Sequence, residues 1–338
     1  MIAALTASGI TLVRNEAEHR FPHTEDALAL EELREEILDV LTGGLWEENW
    51  RVLDPDELSE VELEYMVERG LMTPSFAEKG GGARALAIYG EGQASLEING
   101  EDHFRLVAFR PGAQLESLWQ LLSRLDDQLE VHFSYAFDPQ FGYLTARPSR
   151  SGTGMRAYAT LHVPALVLTG RLAQTALELV GNGLGLAPLW SGAGGLVQVS
   201  NSGTEGRAEE EAIHLMQELA ESIVETERSV RKMLLRENTV QVKDHIGRAI
   251  GMAQHARTMC FGEAVNLISA IEVGRELGLA QVPGMESESA FELMTKLQPA
   301  HIMVEQLGER AGSLDSPEID EFRAHLMRDK FAGAFVVD

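Results

Sequence analysis

The sequence predicts an α+β fold: a large antiparallel sheet flanked by helices, followed by a helical C-terminal region. Three observations carry that expectation. Strand-like runs are grouped in the middle of the chain, between Arg84 and Ser200. From Gln241 to the end nearly every segment has helical periodicity. Asn99–Gly100, set between two β-prone runs, is a strong hairpin signal, and strands grouped ahead of helices point to α+β. With 338 residues, 44% of them hydrophobic, the chain can fill two cores. We place the boundary so that residues 1–236 form the sheet-bearing domain and 237–338 a helical one.

Ile2–Val13 reads as an extended opening segment. A helix follows from about Glu25 to Leu41, with Thr24 as cap and Gly43–Gly44 as stop; Leu30, Leu33, Ile37, Leu38 and Leu41 form its apolar stripe. A second helix, about Pro55 to Arg69, has Asp54 as N-cap, Glu57 as capping-box partner and Gly70 beyond its end. Both are strongly charged outside, which suits a cover on something else. Gly80–Gly81–Gly82 marks a loop before the strands Arg84–Tyr89 and Ala94–Ile98. The strand leaving the Asn99–Gly100 turn is read as Glu101–Phe109. Alternation then puts Glu101, His103 and Arg105 on one face, with Phe104 and Leu106 on the other.

Gln114–Leu129 is an amphipathic helix that turns Leu118, Leu121, Leu122 and Leu125 inward. Val131–Ala136 and Phe141–Thr145 pair around a turn opened by Asp138–Pro139 and closed by Gly142. Strand Tyr158–His162, helix Ala165–Leu179 and strands Leu184–Leu189 and Leu196–Ser200 come next. An acidic amphipathic helix spans Arg207 to about Glu237. Lys243–Ala256, Glu263–Leu277, Ser287–Leu297 and Ser316–Phe331 are the C-terminal helices.

Formal charge is −25, from 53 acidic and 28 basic side chains. Nucleic-acid binding needs clustered Lys and Arg, so it is excluded as a function, and an anionic membrane surface is disfavoured for the same reason. No apolar run is long enough to span a bilayer, and no targeting leader is recognised. The lone Cys260 leaves no intrachain disulfide and fits a reducing cytoplasm. No Cys/His spacing suggests a metal site.

The residues that bear chemistry centre on Tyr135–Arg156. Gly152–Thr153–Gly154 sets a glycine pair around a hydroxyl, and Arg156 lies just beyond. Such a loop lets backbone N–H groups approach an anion, and an arginine can grip it bidentately. Taken alone, G-T-G-x-R is more often an ordinary turn. The Glu101, His103, Arg105 row is unusual for a core-packed strand, although an ion-pair ladder on a solvated face would also explain it.

Several of these segments agree in order and spacing with one family. Asn99–x–Glu101–Asp102–His103–x–Arg105 is followed by Leu125–Asp126–Asp127, Tyr135–Ala136–Phe137–Asp138 and Gly142–Tyr143–Leu144–Thr145. Gly152–Thr153–Gly154–x–Arg156 and Ser200–Asn201 complete the series. The set resembles the ATP:guanidino phosphotransferases, the phosphagen kinases, and most closely their bacterial protein-arginine kinase branch. The likeness extends to Arg14–Asn15 and Arg20–Phe21–Pro22. It implies a glutamine synthetase-like catalytic domain, a homodimer, and in-line transfer of the γ-phosphoryl group of Mg·ATP to arginine side chains of proteins. Catalysis of that kind is alignment plus neutralisation of phosphate charge. By resemblance Glu101 stands for the catalytic carboxylate, Arg105 and Arg156 for two nucleotide-phosphate arginines, and Arg14 joins the nucleotide set.

The departures decide the expectation. The family's first motif is S-S-R-x-R-x-x-R-N, but Gly9 and Thr11 stand where two of its phosphate-binding arginines belong. Gly185–Gly195, GLAPLWSGAGG, has no R-G-x-x-G-E block, so another phosphate arginine and the second substrate carboxylate are missing. Arg147 replaces the cysteine, and Arg150 the asparagine, of C-P-[ST]-N. A charged hydrogen bond is worth about 1.5–3 kcal/mol, and one transition-state arginine about 10³–10⁵ in rate. Arg147 and Arg150 restore some charge, but a cation beside the substrate guanidinium repels it. The expected protein is a pseudokinase, a scaffold or regulator of an active kinase or a protease system. Five guanidinium groups converging above Glu101 would contradict that.

Two alternatives remain. One is an active protein-arginine kinase using ATP and Mg²⁺. The other is a phosphoarginine-binding module with Arg147, Arg150 and Arg156 as its pocket. The branch's receptor motif R-D-x-x-R-A keeps only Asp320, Arg323 and Ala324 here. That suggests either a weakened phosphoarginine pocket or an ordinary helical ion pair.

Overall fold

The computed structural model describes residues 5–44, 46, 49–78, 80, 83–201, 203, 208–285, 288–307 and 313–337. Strand β1 (Leu5–Arg14) is followed by α1 (Ala27–Thr42), β2 (Trp50–Leu53), α2 (Glu60–Glu68) and the single turn α3 (Pro74–Ala77). Strands β3 (Ala85–Tyr89), β4 (Ala94–Ile98) and β5 (Phe104–Pro111) lead to α4 (Leu115–Glu130) and the small ladder of β6 (Phe137–Asp138) with β7 (Gly142–Tyr143). Strand β8 (Met155–His162), α5 (Pro164–Leu168), α6 (Leu172–Gly181), β9 (Leu184–Pro188), β10 (Leu196–Asn201) and the long α7 (Glu209–Glu237) follow. After Asn238 the chain forms α8 (Thr239–His255), α9 (Phe261–Glu276), α10 (Ala290–Lys296), α11 (Pro299–Ile302) and α12 (Pro317–Phe331). A ribbon of Ala280–Gln281 with Phe335–Val336 closes that region.

Among the described residues, eight strands form one sheet in the order β2-β3-β4-β5-β1-β8-β10-β9, and each neighbouring pair is antiparallel. This is the large antiparallel sheet expected of the sequence. Alternation gives it two unlike faces. Ile10, Leu12, Phe104, Leu106, Met155 and Val199 turn to one side and join the apolar stripes of α1, α4 and α7 in one core. Thr11, Val13, Arg105, Phe109, Arg156 and Tyr158 turn to the other, where α2 and α10 wall a cavity.

Two buried polar contacts fasten the C-terminal helices to the sheet domain. Glu227 accepts from the Ala165 and Leu166 N–H groups and from Arg231, which also bonds Glu276 of α9 and the His162 carbonyl. Glu68 of α2 accepts from the Ala300 and His301 N–H groups at the start of α11.

Some boundaries differ from those read in the sequence. Asp26, not Thr24, caps α1: its carboxylate accepts from the Leu28 N–H, whereas the Thr24 hydroxyl donates to the Phe21 carbonyl. Two cap-like patterns precede α2 and the later one wins. Ser59 and Glu62 form the reciprocal capping box, while Asp54 closes a turn on the Asp56 N–H. Strand β5 starts at Phe104, which pairs with Ile98, so Asn99–His103 is a five-residue loop rather than a two-residue turn. Asn99 holds it with φ 54° and donates its side-chain amide to the Leu30 and Ala83 carbonyls.

Gly170, at φ 70°, splits the helix expected over Ala165–Leu179 into α5 and α6. The central hairpin keeps its Asp138–Gly142 turn but shrinks to two pairs. Asp138 spends its side chain on the Gln140 and Phe141 N–H groups. Ile2, Gly81, Gly82, Arg207 and Ser287, which figure in the expected elements, lie outside the described residues.

Among the described glycines, Gly9 leaves the least room for a side chain. A Cβ there would lie 2.1 Å from Cζ of Tyr158, so Gly9→Ala overpacks the face and should cost about 1–3 kcal/mol. Tyr158→Ala in the same chain should recover part of that loss. Urea unfolding of the two single variants, the double variant and the parent checks the coupling.

Candidate functional site

The open face of the sheet carries the polar site. Arg105, on β5, is buried and lies 3.6 Å from Glu97, 3.2 Å from Glu101 and 3.9 Å from Asp102. The strap after β7 carries two more arginines. Arg147 Nε donates to Glu101 Oε1, and Arg150 Nη1 stands 3.4 Å from Glu101 Oε2. Asp102 fixes that strap: its Oδ1 accepts from the Ala146 N–H at 2.7 Å and from the Asn15 amide at 2.8 Å. Both oxygens of Glu101 are therefore engaged by guanidinium groups of its own chain.

Arg156, on β8, donates to the Ser200 hydroxyl at 3.0 Å. It lines a cavity of about 540 Å³ with Arg105 and Arg150. Phe109, Tyr158, Trp190 and Phe291 line the same cavity. Among the described residues, Arg105, Arg147, Arg150 and Arg156 gather beside Glu97, Glu101 and Asp102, and Glu64 and Glu68 of α2 also line the cavity. Partial burial pushes the Glu101 carboxyl up, but the hydrogen bond and charge of Arg147, then the charges of Arg150 and Arg105, outweigh it. The net result holds Glu101 below the usual carboxylate range. A base so weakened takes a proton poorly at neutral pH.

The other expected site residues lie elsewhere. Arg14 is on the opposite face of the sheet from Arg156, one position out of phase with Thr11 and Val13. It is 3% exposed, pairs with Asp126 at 2.8 Å and lies 3.6 Å from the centre of the Tyr143 ring. The Gly152–Thr153–Gly154 loop gives carbonyls to it, not N–H groups to an anion: Thr153 O accepts from Arg14 and Gly154 O from the Val13 N–H. Gly154 is needed because a Cβ would meet the Val13 carbonyl at 2.5 Å.

His103 does not share a face with Glu101. It is fully buried, accepts from the Glu16 N–H, and burial lowers its pKa to about 4, which keeps it neutral. Arg323 is 1% exposed and donates to the Leu297 and Met259 carbonyls and to Asp320. These bonds tie α12 to the ends of α9 and α10, apart from the cavity.

Sequence reasoning did not single out Glu97, Tyr158, Trp190 or Phe291. Glu97 sits on a strand whose residues are all buried, and its charge was its only signal. Phe291 comes from the C-terminal helices, so no local pattern linked it to the sheet.

Comparison with known proteins agrees with this architecture. Residues 32–230 match the ATP:guanido phosphotransferase C-terminal catalytic domain, and residues 239–335 the protein-arginine kinase McsB C-terminal domain. The chain belongs to the ATP:guanido phosphotransferase family. Relatives named protein-arginine kinase include one from Halothermothrix orenii, 33% identical over 96% of this chain and 92% of its own. Another, from Moorella thermoacetica, is 36% identical over 82% of this chain and 78% of its own.

The fold is shared with lombricine kinase, at a TM-score of 0.59 and 18% identity over 68% of each chain. It is also shared with the duplicated taurocyamine kinase from Schistosoma mansoni with bound transition-state analog components. That match has a TM-score of 0.61 and 18% identity, and covers 77% of this chain and 38% of that one.

The family as a rule uses Mg·ATP, and Arg105, Arg150 and Arg156 are the residues of this cavity that would hold its phosphates. Gly9 and Thr11 bring no charge, and the Tyr158 ring covers Gly9 within 2.1 Å of where a Cβ would stand.

Because Glu101 has a lowered pKa in the folded chain, its contacts add stability above the ordinary carboxylate pKa and lose it as pH falls through the folded value. Glu101→Gln should therefore destabilise most near neutral pH, and its difference from the parent should narrow below about pH 4. Urea midpoints measured from about pH 3 to about pH 7 check the sign.

Proposed function

We propose that this chain is a pseudokinase of the protein-arginine kinase branch: phosphoryl transfer from ATP to protein arginine is lost or strongly reduced. It works as a cytoplasmic scaffold or regulator, as a homodimer, for an active kinase or a protease system. The observation that carries this reading is the capture of Glu101 by Arg105, Arg147 and Arg150. Among the described residues four guanidinium groups gather there, those of Arg105, Arg147, Arg150 and Arg156, one fewer than the five that would oppose this reading.

Magnitudes support the same conclusion. A substrate guanidinium must displace a half-exposed partner, Arg147, worth at most about 1 kcal/mol, and compete with buried Arg105, worth about 1.5–3 kcal/mol. Together these cost about 2–4 kcal/mol, a factor of about 30 to 10³. Each absent transition-state arginine removes a further factor of about 10³–10⁵.

The test is incubation with Mg·ATP and an arginine-rich protein, with phosphoarginine followed by mass spectrometry. The expected outcome is no phosphoarginine above that made by the Glu101→Gln variant. Steady accumulation that Glu101→Gln abolishes would show an active protein-arginine kinase instead.

A further inference from the structure

The loop Trp190–Gly195 stands between two cavities. Its front carries Trp190 into the cavity of Arg105 and Arg156, where the indole stacks on Phe291 with centroids 5.4 Å apart and planes at 9°. Phe261, at the start of α9, meets the same indole edge-on at 5.1 Å. The back of the loop, at Gly192, Gly194 and Gly195, lines a second cavity of about 570 Å³ walled by α5, α7, α8 and α9. The loop closes the segment that lacks the family's R-G-x-x-G-E block.

Its backbone is not one that its residues favour. Trp190 has φ 46° and Ser191 φ 57°, a region that bulky side chains seldom adopt. Such a conformation persists only where the surroundings impose it. The sheet domain fixes the two ends: the Leu189 N–H donates to the Leu196 carbonyl, and the Val163 N–H to the Gly195 carbonyl.

Gly194, between those ends, is fixed from α9. The Asn266 side-chain oxygen accepts from the Gly194 N–H at 2.7 Å, and the Ser269 hydroxyl donates to the Gly194 carbonyl at 2.7 Å. Asn266 and Ser269 are three residues apart and so share one face of the helix. A Cβ at Gly194 would lie 2.9 Å from the Val265 side chain, so α9 packs directly on the main chain of the loop. Ser269 is held in turn by His162, whose Nε2 lies 2.7 Å from its hydroxyl oxygen. Because that hydroxyl donates to Gly194, Nε2 is the donor to it. Burial and then the charge of Arg231 lower the His162 pKa to about 3, which keeps the ring neutral.

We infer that Asn266 and Ser269 form a latch through which α9 sets the position of Trp190, and with it the width of the front cavity. Neither residue lines that cavity, so both act as positioning residues. With the latch open, the loop relaxes into the space of the rear cavity and the indole leaves Phe291. The inference holds whether or not the chain transfers phosphoryl groups.

The test is fluorine NMR of the full chain labelled with 5-fluorotryptophan. The sequence has four tryptophans, and the signal lost in Trp190→Phe is that of Trp190. In the double variant Asn266→Ala, Ser269→Ala this signal should move toward that of the free amino acid and respond more strongly to heavy water. The signals of Trp46, Trp50 and Trp119, which pack in the other core, should stay in place. If the double variant does not fold, Asn266→Ala alone, at an exposed position, should shift the Trp190 signal in the same direction. Asn266→Asp keeps the accepting oxygen and should leave the signal where it is in the parent.

A Trp190 signal unmoved by Asn266→Ala and by the double variant would show that Phe261 and Phe291 hold the indole without the latch, and would overturn the inference. Movement of all four signals together, or a shift in Asn266→Asp as large as in Asn266→Ala, would overturn it as well.

Discussion

The ion cluster at Glu101 constrains the rest of the site. A partly buried carboxylate needs partners, and here they come from the same chain: Arg105 from the strand behind it and Arg147 and Arg150 from the strap above. The strap is itself anchored by Asp102, 1% exposed, through the Ala146 N–H. That bond holds the backbone next to Arg147 while the Arg147 side chain reaches Glu101. Both oxygens of the carboxylate are thus bound within the chain itself.

The alternation of one strand separates the core from the cavity. On β1 the even-numbered residues Ile10 and Leu12 are core, and Arg14 is locked to Asp126 on that same side. Those positions are fixed by packing and by the cost of burying an unpaired charge. The odd-numbered Thr11 and Val13 line the cavity on the other side, and Gly9 lies beneath the Tyr158 ring. Tyr158 occupies the space over Gly9 and brings an aromatic ring to that side.

The sheet and most helices were legible in the sequence because strands and helices bury one face each and leave a periodic trace. Glu101, Arg105 and Arg156 were found by motif, and the structure brings them to one region. Arg14 and His103, expected beside them, lie elsewhere, which spacing did not reveal. Asn99 turns a presumed tight hairpin into a longer loop, which shifts Glu101 and His103 off the strand, and a one-residue phase difference sends Arg14 to the core. The aromatic residues that line the cavity, Phe109, Tyr158, Trp190 and Phe291, come from β5, β8, the loop after β9 and α10, so they are far apart in the chain and carry no common local signal. Short caps misled for a similar reason: Asp54 and Ser59 both fit a helix start, and only the reciprocal bond of Glu62 decides between them.

The most direct test of this account is the carboxyl carbon resonance of Glu101, observed by NMR while an arginine-containing peptide is added with Mg·ATP. If the chain's own guanidinium groups occupy Glu101, the resonance stays at its starting position through saturating peptide, and it moves when Arg147 and Arg150 are replaced by alanine. A peptide-dependent shift in the unaltered protein would show that the carboxylate is open to substrate, and would contradict the account.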